Sequence, residues 1–263
     1  MRIITFMLVA QLPLAAAEPL AYACGFSEES PVTDGDLSDT CWEKAAWSAD
    51  FTDIRGGDQP APRFRTRMKM LWTADSLHVA AELSEPHVWG TLREKNAIIF
   101  HDNDFEIFLD PDGDGLNYYE FEMNALGTIW ELTLDKAYSR GGTATHGTNL
   151  PDLKSGVKVH GSLNDTADVD TSWTVEISIP WKDVAVYRGG KTTAPAGGDV
   201  WRINFSRVEW KHRIENGRYA RVPPHGTKIE DGDHPEDNWV WSPQHAINMH
   251  LPEKWGFLKF VGP

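Results

Sequence analysis

The sequence predicts an all-β protein: an antiparallel β-sandwich with long inserted loops and little helix. Short segments that alternate apolar and polar residues recur along the chain. They are rich in β-branched and aromatic residues, and Gly, Pro, Asp or Asn bound them. Helical periodicity is nearly absent. About ten strands with so little helix must bury their apolar faces against one another, which is the two-layer solution.

In chain order, period-two alternation marks residues 64–72, 77–83, 104–109, 118–123, 128–134, 157–160, 173–179, 201–208 and 256–261. Residues 181–186, after Pro180, have room for one or two helical turns. Residues 188–199 are rich in Gly, Pro and Thr, and residues 213–238 in charge and His; both read as long loops between strands. No repeat or low-complexity linker divides the chain, so residues 18–263 are expected to form one domain.

Residues 1–17 have the pattern of a secretory signal peptide: Arg2, an apolar run of about a dozen residues, then Ala15, Ala16 and Ala17. The run is too short to span a bilayer, and no later segment is a transmembrane candidate. A secreted or periplasmic protein is expected. Export to an oxidising compartment would let Cys24 and Cys41 form one disulfide, worth about 3 kcal/mol in chain entropy. Two separate buried thiols are the alternative.

The formal net charge of −14 argues against duplex nucleic acid or anionic lipid as a partner, since both need a concentrated cationic surface. Two Cys are too few for a structural zinc cluster or a disulfide framework. Twelve Trp are a heavy load for one domain, so some indoles are expected at the surface in a binding role.

The densest constellation runs from Glu85 to Glu122. It contains Trp89, Asp102, Asp104, Glu106, the run Asp110-Pro111-Asp112-Gly113-Asp114-Gly115, and Glu120 and Glu122. Other landmarks are the opening Asp34-Gly35-Asp36-Leu37-Ser38-Asp39 with Trp42, then Glu176-Ile177-Ser178-Ile179-Pro180-Trp181, Trp201-Arg202-Ile203-Asn204-Phe205, and the closing Trp255-Gly256-Phe257-Leu258. In their order and spacing these segments resemble the family 9 carbohydrate-binding modules and their wider relatives. The resemblance implies a β-sandwich that binds an oligo- or polysaccharide, with calcium ions stabilising loops; a monomer is expected.

Carried over position by position, Glu106 matches the family's sugar-contacting Glu, and Asn204 falls on a matching strand. The first stacking Trp falls near Phe100 and the second near Met249. An expected Arg is replaced by Glu122, and a Gln falls near Ser206. These departures shift the expected stacking toward Trp89, Trp210 or Trp239. Arg207 is expected to hydrogen-bond hydroxyls or a uronate, with a strand-face ion pair as the alternative.

Asp110, Asp112 and Asp114 place carboxylates at alternate positions before a Gly, as in the first half of a calcium loop. A solvated hairpin turn explains the same residues, and Asp102 with Asp104 forms a further candidate pair. Two other readings of the chain stay open. Asp104, Glu106 and Glu122 supply paired carboxylates for a glycan-active hydrolase or lyase. A haem-binding electron-transfer domain would need an axial pair; His250 beside Met249 is the candidate, although adjacent residues of an extended segment point opposite ways.

Overall fold

The computed structural model describes residues 18–222 and 236–262, so the expected leader lies outside the described residues. Its strands are β1 (Ala21–Phe26), β2 (Thr52–Asp53), β3 (Thr66–Trp72), β4 (Ser76–Ser84), β5 (Asp104–Asp110), β6 (Leu116–Asn124), β7 (Ile129–Lys136) and β8 (Ala144–His146). Then come β9 (Lys154–His160), β10 (Ser172–Pro180), β11 (Val200–Glu209), β12 (His212–Glu215), β13 (Arg218–Arg221), β14 (Asp237–Val240) and β15 (Gly256–Val261). Helix is confined, among the described residues, to short 3-10 turns. The turn expected at residues 181–186 forms slightly later, at Ala185–Arg188. Among the described residues no helix is long and apolar enough to cross a membrane.

One mixed sheet runs β8-β7-β6-β5-β11-β15-β1-β3-β4-β10-β9, with β14 added to β11 and β2 to β14. It curls so that its two halves share one core. Phe105, Ile107 and Leu109 of β5 and Phe121 and Met123 of β6 pack in the same cluster as Val79 of β4 and Val175 and Ile177 of β10. All-β architecture is as the sequence predicts. Strict antiparallel order is not: β1 runs parallel to both β15 and β3. The long excursion between β1 and β3 supplies the crossover that a parallel pair needs.

The expected loop at residues 213–238 is in part a hairpin. β12 and β13 pair around Asn216-Gly217, whose φ values of 51° and 74° are those a tight two-residue turn requires. The opening segment docks on β10 through one carboxylate. Glu176 Oε1 accepts the Trp42 indole N–H at 2.6 Å, and Oε2 accepts the backbone N–H groups of Asp34 and Gly35. Gly35 has φ +89°, and a Cβ there would lie 2.5 Å from the Lys158 backbone nitrogen, so this approach needs glycine.

The expected disulfide is not formed. Cys24 is a free thiol in the main core, whereas Cys41 is a free thiol in a satellite cluster with Trp42, Leu71 and Ala80. Different layers of packing hold the two side chains.

Candidate functional site

Alternation along β5 and β6 sets the site. Phe105, Ile107 and Leu109 face the shared core, so Asp104, Glu106 and Phe108 must face the other side. On β6, Phe121 and Met123 face the core, and Tyr118, Glu120 and Glu122 the other side. The ladder then brings these side chains together: Glu106 stands directly opposite Glu122, and Phe108 opposite Glu120. β7 adds Trp130 opposite Glu122 and Leu132 opposite Glu120. On the far flank, β11 places Ser206 beside Glu106. A second apolar cluster, including Phe108, Tyr118, Leu132 and Trp255, supports this face.

The result is a cleft of about 510 Å³. Glu106, Glu120 and Glu122 lie on its strands, while Phe100, Tyr138, Met249 and His250 reach it from connecting segments. Trp130 stacks on His146 with centroids 5.4 Å apart, and Phe100 lies 6.1 Å from Trp130. Tyr138 is 46% exposed and meets His250 edge-on at 4.6 Å, so its ring is the most accessible aromatic surface of the cleft. The backbone N–H of Phe100 donates to Glu122 Oε2 at 3.0 Å, and the Tyr118 hydroxyl is 3.0 Å from His250 Nδ1.

The electrostatics are unusual because the acids are buried together. Glu106 is 4% exposed, Glu120 4%, Glu122 1% and Asp104 0%. Burial pushes the Glu106 carboxyl up to about 8. Burial first, and neighbouring carboxylates second, push Asp104, Glu120 and Glu122 well above the usual range.

The structure unites only some of the expected site. Phe100, Glu106 and Glu122 meet in the cleft. The three loop indoles do not, and this corrects the sequence expectation. Trp89 and Trp210 are 2% and 1% exposed and pack with Val208 and Tyr219. Trp210 donates its indole N–H to the Phe100 carbonyl at 2.8 Å. Trp239 is 3% exposed in the main core, on the opposite face of β14 from the cleft residue Asn238.

Asn204 and Arg207 are corrected too. Asn204 is fully buried and tied to Ser242, accepting its N–H and donating to its carbonyl. Arg207 is fully buried, and its five N–H donors go to Glu85, Glu209, Thr66 and the Ser84 carbonyl. All of its donors are committed to the scaffold. Asp102 is likewise committed, accepting from the backbone N–H groups of Thr91 and Leu92, the Thr91 hydroxyl and the Asn124 side chain.

Glu120, Trp130 and Tyr138 are cleft residues that sequence reasoning did not select for a site, and His250 was singled out only as an axial candidate for haem. Glu120 had a readable signal: it alternates with Glu122 in a strand whose other face is apolar. Tyr138 and His250 come from segments whose position only the fold reveals. Met249 and His250, the candidate axial pair, both border the cleft despite being adjacent, because this segment is not a strand.

At the β5–β6 turn, Asp110, Asp112 and Asp114 each bring a carboxylate oxygen within 4.8 Å of the others. The two Asp110 oxygens also accept the N–H groups of Gly113 and Gly115, at 3.0 and 2.9 Å. Burial raises the Asp110 carboxyl to about 7. The donor set is all oxygen, which suits a hard cation, and the hydrogen bonds are those of a closed turn.

Fold and site together define a class: a β-sandwich carrying an aromatic-walled, acid-lined cleft on the outer face of one layer. The chain belongs to the carbohydrate family 9 binding domain-like family, whose model matches residues 33–208. Among solved structures it is similar to a candidate carbohydrate-binding protein of Bacteroides uniformis, at 16% identity and a TM-score of 0.64, covering 92% of this chain and 100% of that one. It is also similar to a family 9 carbohydrate-binding module of Caldicellulosiruptor kristjanssonii. The complex of that module with cellotriose gives 16% identity and a TM-score of 0.56, covering 92% of this chain and 94% of the module. Its complex with glucose gives 17% identity and a TM-score of 0.55, with 93% and 96% covered. No curated protein matches the chain.

Proposed function

We propose that the protein is an exported glycan-binding protein that takes its ligand in the cleft between Tyr138, Phe100 and the carboxylates of β5 and β6, in the service of carbohydrate breakdown. One observation carries the reading: in a chain of a carbohydrate-binding family, ring faces and acids converge on a single hollow of about 510 Å³. A pyranose has a C–H face that packs on a ring and hydroxyls that need polar partners. Leaving those hydroxyls unpaired on burial costs about 1–3 kcal/mol each, so acceptors beside the rings are what a sugar site requires. The cellotriose and glucose complexes of the Caldicellulosiruptor module support the choice of ligand class. The leader pattern of residues 1–17 supports export. Calcium at Asp110, Asp112 and Asp114 belongs to the same reading, as a brace for the β5–β6 turn.

A second reading keeps the cleft and adds bond cleavage. Its supporting observation is that Glu106 faces Glu122 with both carboxyls raised by burial, so that one acid can hold a proton. A panel of oligo- and polysaccharides, read for retention in affinity electrophoresis and for new reducing ends, tests both. Retention without turnover is the expected result. Turnover would favour the second reading, and neither on any glycan would end both.

A further inference from the structure

The β5 and β6 carboxylates present a problem that sugar binding does not solve. Asp104, Glu106 and Glu122 each offer an oxygen within 4.8 Å of the other two. All three are nearly or fully buried. Among the described residues, no Lys, Arg or His forms an ion pair with any of them. Among other buried acids, Glu85 and Glu209 are paired with Arg207 and Glu131 with Lys95, while Asp102 and Glu176 have both oxygens hydrogen-bonded.

Individual oxygens are also left over. Asp104 Oδ1 accepts the Val208 N–H, but among the described residues Oδ2 has no hydrogen-bond partner, and neither has Glu106 Oε2. An unpartnered oxygen buried beside two further carboxylates has lost its water and gained repulsion.

From these observations we infer that Asp104, Glu106 and Glu122 form a binding site for a divalent cation of the calcium class, separate from the β5–β6 turn. The donors are all carboxyl oxygens, the set that hard cations prefer and softer metals do not select, and an ion binding there would displace the protons they hold. Oxygens no more than 4.8 Å apart lie within twice a calcium–oxygen bond of about 2.3–2.6 Å, so one ion can contact all three. Strands supply all three ligands, which fixes their positions more firmly than a loop would. Glu106 and Glu122 border the cleft, so an ion has a route in from solvent. The site stands whether or not the cleft takes a sugar.

Calorimetric titration with calcium chloride alone tests the inference. The full chain is first stripped with a chelator, and the turn is silenced by Asp112→Asn with Asp114→Asn. The expected result is one remaining binding event, weakened about a hundredfold or more by Glu122→Gln and by Asp104→Asn. Melting in chelator supplies the control for folding. Because Glu122→Gln removes a repelling charge, that variant should melt at or above its parent without metal and gain nothing from calcium. Absence of any binding event in the turn-silenced protein would overturn the inference. So would calcium affinity that survives both Glu122→Gln and Asp104→Asn. Glycan retention does not enter these readouts, so failure here leaves the proposed function standing.

Discussion

Glu106 on β5 faces Glu122 on β6 across one rung of the ladder, with Trp130 of β7 on the next strand. Like charges directly opposite on neighbouring strands destabilise a sheet. Here they sit where the family resemblance leads one to expect an Arg beside the Glu. With an acid at that position, Glu106, Glu120 and Glu122 line the cleft together.

The buried indoles are expected to act on stability rather than on recognition. Trp239→Ala removes a 3%-exposed ring from the main core and should cost about 3–5 kcal/mol in urea unfolding. The folded fraction should keep its glycan affinity within about twofold. A large loss of affinity at unchanged stability would return Trp239 to the site.

Arg207→Met leaves Glu85 and Glu209 buried without their shared cation and should cost about 3–5 kcal/mol. The loss should grow with pH. Burial and then Glu209 push the Glu85 carboxyl up to about 9, while Arg207 pulls it down. Above pH 4.5 the unfolded chain therefore releases a proton that the folded chain keeps, and stability falls as pH rises toward 9. Without the guanidinium the folded-state value rises further, so the gap in urea midpoint between variant and parent should hold steady up to about pH 8 and widen as pH passes about 9. A gap independent of pH would contradict the shared-cation account.

His78 shifts in the opposite direction. It is 3% exposed, 2.7 Å from the Ser178 hydroxyl and 3.2 Å from that of Thr73. Burial lowers its imidazole from 6.5 to about 4. Between those values the unfolded chain binds a proton that the folded chain refuses. The stability from this group is complete above pH 6.5 and is lost as pH falls toward 4, on the order of 3 kcal/mol in all. His78→Gln should flatten the acid limb of a stability–pH profile over that window, and an unchanged slope would refute the assignment.

Cys24 and Cys41 lie in separate clusters as free thiols. The melting temperature should be the same with and without reductant, and a thiol reagent should count both groups only after denaturation. A fall in melting temperature on reduction would restore the disulfide.

Much of the fold could be read directly from the sequence. β4, β5, β6, β10 and β11 alternate cleanly because one face of each is buried in the shared core. β1 and β14 escaped because each is short and its place is fixed by partners far along the chain, β15 and β3 for β1 and β11 for β14. The β12–β13 hairpin was available in Asn216-Gly217 but was hidden by the charge around it. For the site, alternation placed Glu106 and Glu122 on strands, but only register shows that they meet. Loop position misled for Trp89 and Trp210: both rings fold inward and pack with Val208 and Tyr219.

The central claim is that the cleft of Tyr138 and Glu106 receives the glycan. Calorimetric titration of Tyr138→Ala and Glu106→Gln with the best ligand from the glycan panel tests it most directly. Each variant should fold as the parent does and bind at least about tenfold more weakly, the loss expected for a stacking ring or a buried hydrogen-bonding carboxyl. Two folded variants that bind with the parent's affinity would contradict the account and place recognition on another face.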